Sequence, residues 1–116
     1  MRHISWQSLP AEELSATIRR RYVSQPGVTI AWFELQKGAV VPMHAHHNAQ
    51  VTNVISGQLD FKFKDGSGKS VRGGESIYMA PHEPHEVHVP VDSVVLDVFM
   101  PEREDWHANK DQYLRK

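Results

Sequence analysis

Turn-forming residues interrupt this chain about every eight to twelve positions between Gln25 and Pro101. Segments that short, when rich in β-branched and aromatic residues, read as strands. Val28-Thr29-Ile30-Ala31-Trp32-Phe33-Glu34-Leu35 runs from the turn at Gln25-Pro26-Gly27 to the break at Gln36-Lys37-Gly38. Residues 40–46 are extended, and Pro42 argues against a central ladder position there. Residues 50–56 form the next strand, with a hairpin turn expected at Gly57-Gln58. Leu59, Phe61 and Phe63 alternate with Asp60, Lys62 and Lys64, the period of a half-buried strand. Asp65-Gly66-Ser67-Gly68 turns the chain again. Gly73-Gly74 precede Ser76-Ile77-Tyr78-Met79. His85, Val87 and Val89 share a face opposite Glu86 and His88. Residues 94–100 are a last apolar strand that Pro101 ends, and the acidic, aromatic tail is loop or short helix. The expectation is an all-β sandwich or barrel.

The segment before Val28 differs. Ser8-Leu9-Pro10-Ala11-Glu12-Glu13-Leu14 reads as a short helix, with Ser8 as cap, Pro10 in the first turn and the glutamates at the positive end. Arg19-Arg20-Arg21 reads as a solvated face or an intersubunit contact rather than a phosphate site.

The 116 residues make one domain, 1–116, with its barrel at about 28–100. Net charge is −1, from 13 basic and 14 acidic residues, so no global field favours nucleic acid or an anionic membrane. No apolar run approaches the roughly 20 residues of a membrane span. The first seven residues lack the apolar stretch of a signal peptide, and the expected location is the cytoplasm. The absence of cysteine removes disulfides, thiolate metal sites and a cysteine nucleophile. The anomaly is histidine: there are eight, and they cluster.

His44 and His46 are two apart, so on a strand they point the same way, and Gln50 keeps that parity if the strand runs on unbroken. Two imidazoles and an amide oxygen aimed at one point suit a divalent metal ion. His85 is the candidate fourth ligand, from another strand. Gln50 can alternatively orient a histidine from outside the ligand set. His47 has the wrong parity and reads as outward; His3, His82, His88 and His107 read as solvated or structural.

Asp97 interrupts an apolar strand, where a carboxylate is costly unless paired or near a cation. It is either bonded to a neighbouring side chain or an acid/base group facing the metal cavity, on the face of Val95 and Phe99. Phe99 is a core residue or a platform for a sugar ring. Arg103 is a surface salt bridge or a bidentate clamp on a carboxylate, with Glu102, Glu104 and Asp105 as competing partners.

Two segments carry a family resemblance. The first is Gly38, His44-Ala45-His46, Gln50, Gly57; the second runs from Gly74 to His85 through Pro81-His82-Glu83-Pro84. Both resemble the paired signatures of the cupin superfamily, over about residues 28–99. The resemblance implies a double-stranded β-helix (a jelly-roll barrel), one metal ion in its mouth and a homodimer. The usual cupin glutamate is replaced by Gln50. An amide cancels none of the ion's charge, so the site attracts anions more strongly and holds metal less tightly.

The stretch Asp97-Val98-Phe99-Met100-Pro101-Glu102-Arg103-Glu104-Asp105-Trp106 resembles the closing segment of small cupins of pectin and alginate breakdown. Those proteins linearise 4,5-unsaturated uronates and use three histidines and one glutamine as metal ligands. The resemblance implies that His44, His46, Gln50 and His85 hold the metal (zinc, nickel, manganese or iron). It also implies that Asp97, Phe99 and Arg103 are catalytic, acting on a small anionic sugar. The alternatives are an iron dioxygenase, which would consume oxygen, and a non-catalytic small-molecule sensor, which would bind without turnover.

Overall fold

The computed structural model describes residues 1–108 and 110–115. Among them the strands are β1 (Glu12–Glu13), β2 (Ile18–Gln25), β3 (Val28–Leu35), β4 (Val40–His44), β5 (Ala49–Ser56), β6 (Gln58–Phe63), β7 (Gly68–Arg72), β8 (Ser76–Met79), β9 (His85–His88) and β10 (Ser93–Met100). A four-residue helix α1 (Glu104–His107) and a 3-10 turn at Gln112–Leu114 follow. A six-stranded sheet in the order β1-β2-β3-β10-β5-β8 faces a four-stranded sheet in the order β4-β9-β6-β7. Every pairing is antiparallel. This is the expected jelly roll.

Alternation builds the core. Ala31, Phe33 and Leu35 of β3, Val95 and Phe99 of β10, and Leu59 and Phe61 of β6 are buried between the sheets. Their strand neighbours point outward and remain partly exposed. β4 is an edge strand, which accommodates Pro42, and its ladder with β9 shifts register between Val41 and His44. No described helix is long and apolar enough to cross a membrane.

Three local expectations change. A short helical segment exists near the N-terminus, but it is a 3-10 turn at Trp6–Ser8, which Ser8 ends rather than caps. Glu12 and Glu13 are extended, opposite Arg20 and Arg19 of β2, and their carboxylates pair with those guanidiniums. Cross-strand ion pairing wins over helix propensity here. The arginine run therefore lies in a strand; Arg19 is exposed, but Arg20 is 1 % exposed and points inward. Gly57-Gln58 is not a hairpin turn. It carries the chain from β5 in one sheet to β6 in the other. Gly57 has φ +89°, and a Cβ there would lie 2.2 Å from Ser93 Oγ and 2.6 Å from the Asp92 carbonyl oxygen. Only glycine meets both demands.

Candidate metal centre

At one end of the sandwich the two sheets separate, and polar side chains replace the apolar core. His44 closes β4 and stands opposite His85, the first residue of β9. Gln50 of β5 stands opposite Phe99 of β10, and Thr52 opposite Asp97. One wall therefore comes from the four-stranded sheet and the other from the six-stranded sheet. His46 lies between them, on the segment 45–48 that crosses from one to the other. The strand does not run on unbroken from 44 to 50, the condition on which Gln50 would share the parity of His44 and His46: the chain leaves β4 after His44 and bends at residues 47–48. Convergence of His46 and Gln50 comes from that bend and not from strand parity. Asn48 fixes the crossing: it is 1 % exposed, and its Nδ2 donates to the carbonyls of Pro101 at 2.6 Å and Glu102 at 3.2 Å.

His44, His46 and His85 form a group whose ligand atoms lie within 4.8 Å of one another. Each Nδ1 faces a backbone carbonyl two residues away: Pro42 at 2.8 Å, Asn48 at 3.0 Å and Glu83 at 2.8 Å. Those bonds put the proton on Nδ1 and leave a lone pair on Nε2 of each neutral ring. Burial is the main reason the rings stay neutral. It lowers His44 and His46 to about 4, with help from neighbouring cationic groups, and it lowers His85 as well.

Gln50 completes the arrangement. Its Nε2 donates to Thr52 Oγ1 at 3.0 Å, which turns Oε1 toward His46 Nε2 at 3.0 Å. With the His46 proton on Nδ1, Nε2 and the Gln50 oxygen present two lone pairs to the same space. A cation placed there would accept both lone pairs. The donor set of three imidazoles and one amide oxygen thus fits a divalent ion of the zinc, nickel, manganese and iron series.

Asp97 is 8 % exposed and lines the same cavity. Its Oδ1 is buried without a hydrogen-bond partner. Burial pushes its carboxyl up to about 6, against the opposing pull of Thr52, Arg103 and Gln50. Arg103, 2 % exposed, is no surface residue. Its backbone N–H donates to Thr29 Oγ1 at 2.8 Å. Its guanidinium grips Asp105 through two bonds of 2.9 and 2.7 Å and also donates to the Tyr113 hydroxyl. The same guanidinium lies over the rings of Phe99 at 4.7 Å and Trp106 at 4.8 Å. Phe99 is 2 % exposed and packs edge-on against His46 at 5.8 Å. It is a core residue that also borders the cavity.

His44, His46, Gln50, His85, Asp97, Phe99 and Arg103 therefore all border one site. His47, His3, His82 and His107 are exposed, and His88 pairs with Glu86 outside it. Sequence reasoning missed Thr52, Asn48 and Tyr113. Thr52 was within reach, two residues after Gln50 on the same face. Tyr113 carries no local signal, because its place depends on how the tail folds back.

The same fold appears in solved structures. An RmlC-like cupin from Shewanella frigidimarina NCIMB 400 superposes with a TM-score of 0.82 at 27% identity, covering 91% of this chain and 96% of that one. KdgF from Halomonas sp. gives 0.79 at 22% identity, covering 86% and 94%. The polyketide cyclase RemF from Streptomyces resistomycificus gives 0.72 at 20% identity, covering 87% and 79%. No curated protein matches the chain. The family model for the cupin domain matches residues 31–99, which hold the whole histidine group and both sheets' contribution to it. On that match and that architecture, the chain belongs to the cupin domain family.

Proposed function

We propose that this protein is a metal-dependent, non-redox enzyme that opens and ketonises 4,5-unsaturated uronate monosaccharides. The observation that carries the reading is Asp97: a buried carboxyl with an unpartnered oxygen, in the same cavity as His44, His85, Gln50 and a buried arginine. The closing segment 97–106 supports the substrate class through its resemblance to uronate-linearising cupins.

His44, His46 and His85 would hold the metal with Gln50. When bound, the ion supplies Lewis acidity toward a substrate oxygen. Arg103 anchors the substrate carboxylate, and Phe99 sets the face on which the sugar lies. Asp97 moves the protons. Ring opening breaks the bond between the anomeric carbon and the ring oxygen; the anomeric hydroxyl loses its proton and becomes an aldehyde. The former ring oxygen becomes an enol hydroxyl. Asp97 takes a proton from oxygen and returns one to the adjacent alkene carbon, which leaves a ketone. Atoms and electrons balance, so no co-reactant is needed. Burial raises the Asp97 carboxyl, the direction a proton relay needs.

A homodimer of this chain would use the outside of the six-stranded sheet. Outward-facing Ile30, Val51, Leu96 and Val98 are partly exposed there, and Ile55 and Tyr78 are 51 % and 61 % exposed.

The test is loss of the conjugated alkene's ultraviolet absorbance on adding metal-replete protein to unsaturated galacturonate or mannuronate. Loss faster than the spontaneous rate, abolished in Asp97→Asn at unchanged metal content, is the expected result. Loss at the spontaneous rate rejects the activity, and full activity in Asp97→Asn rejects the relay.

A further inference from the structure

The chain's own C-terminal segment packs against the histidine pocket and forms part of its wall. Tyr113 stacks on His44, with ring centroids 4.5 Å apart and planes at 28°. Its hydroxyl accepts hydrogen bonds from Arg103 Nη2 and, at 3.4 Å, from Trp106 Nε1. Leu114, 5 % exposed, lines the same cavity. The segment is tied down by a buried ion pair. Asp111 is fully buried; it meets Arg20 Nη2 at 2.9 Å and Arg115 Nε at 3.0 Å. Arg20 is itself buried beneath Trp106, its guanidinium 4.3 Å from that ring. Trp106 thus lies between two guanidiniums, one gripping the tail at Asp111 and the other at Tyr113.

What the tail leaves behind is a cavity of about 50 Å³. A water needs roughly 10–15 Å³ on that measure, so the space left within the pocket holds a few waters and no sugar. Pockets for larger ligands run to about 300–1,000 Å³. Tyr113 also occupies, on Arg103 Nη2, a position where an oxygen of an anionic ligand would be accepted.

We propose that residues 111–115 are a lid and that Tyr113 is its specificity-determining residue. An oxygen anion larger than a few waters reaches the metal centre only when the Tyr113 ring leaves His44 and Arg103. The Arg20–Asp111 pair is the tether that holds the lid in register. Small carboxylates pass without that movement. The inference rests on the histidine pocket being the ligand site, as in the reading above. It does not rest on turnover, because the probes are unreacting carboxylates.

The experiment loads the full chain with cobalt and follows its visible spectrum by stopped flow on mixing with acetate or with saturated galacturonate. In Tyr113→Ala, galacturonate should associate about tenfold faster or more than in the parent, while acetate changes by less than about twofold. Asp111→Asn, which leaves every pocket side chain in place and loosens the tether, should show the same selective gain. It also keeps the test valid if Tyr113→Ala folds poorly. Equal acceleration of both anions, or of neither, overturns the lid. So does failure of either anion to perturb cobalt in a folded Tyr113→Ala variant, since an opened pocket must admit one. A uronate assay that fails while galacturonate shows the selective gain would reject the proposed reaction and keep the lid.

Discussion

Gln50 sets the charge of the pocket. With three neutral histidines and a neutral amide as ligands, a bound divalent ion keeps its full charge. Gln50→Glu should tighten zinc binding about tenfold or more and weaken acetate binding, both measurable by competition against a chelator. Unchanged metal affinity would exclude residue 50 from the ligand set. The protonation of the pocket follows from burial. His44 and His46, lowered to about 4, are neutral in the fold and become charged in the unfolded chain below 6.5. Their contribution to stability is present above pH 6.5 and is lost as pH falls through about 4. Asp97 has the opposite sign. Its carboxyl is raised from 3.8 to about 6, so its contribution is fully present below 3.8 and is lost as pH rises through about 6. Three lowered imidazoles outweigh one raised carboxyl. Urea unfolding of metal-free protein should therefore show stability rising between pH 4 and 6.5, and rising more steeply in Asp97→Asn. A flat profile in both proteins would mean that the pocket is hydrated rather than buried.

The elements explain which parts of this site were legible. Strands with alternating apolar residues, such as β6 and β9, announced themselves, because burial on one face imposes a period of two. His85 followed from the inward face of β9. Asp97 stood out as the carboxylate within an otherwise apolar β10. β2 did not announce itself. Its inward residues include Arg20, paired with Glu12 and Asp111, and a buried arginine looks like a solvated one until its partners are known. Glu12 and Glu13 misled for the same reason: their strand conformation is fixed by arginines on β2. Gly57 was visible as a turn, but whether a turn joins paired strands or crosses between sheets depends on contacts with residues 92–93, far along the chain. That crossing is rigid, so Gly57→Ala should destabilise by about 1–3 kcal/mol or more through the positive φ and the clash with Ser93. Thermal or urea melts measure it; a change below about 0.5 kcal/mol would mean that the crossing relaxes freely.

Across the whole molecule, the two sheets act as jaws that carry the metal-ligand candidates, and the C-terminal segment closes over them. Neither sheet holds the set alone: His44 and His85 come from one, Gln50 from the other, and His46 from the segment between. Occupation of the site should therefore stabilise the packing of the sheets against each other, by about 2.7 kcal/mol at a free-ion concentration 100 times the dissociation constant. The most direct test is zinc stoichiometry after stripping and reloading, measured on the parent chain and on a His44→Ala/His85→Ala double variant. The account predicts one equivalent per chain in the parent, a higher melting temperature on loading, and neither in the variant. No uptake by the parent, or equal uptake by the folded double variant, would contradict it.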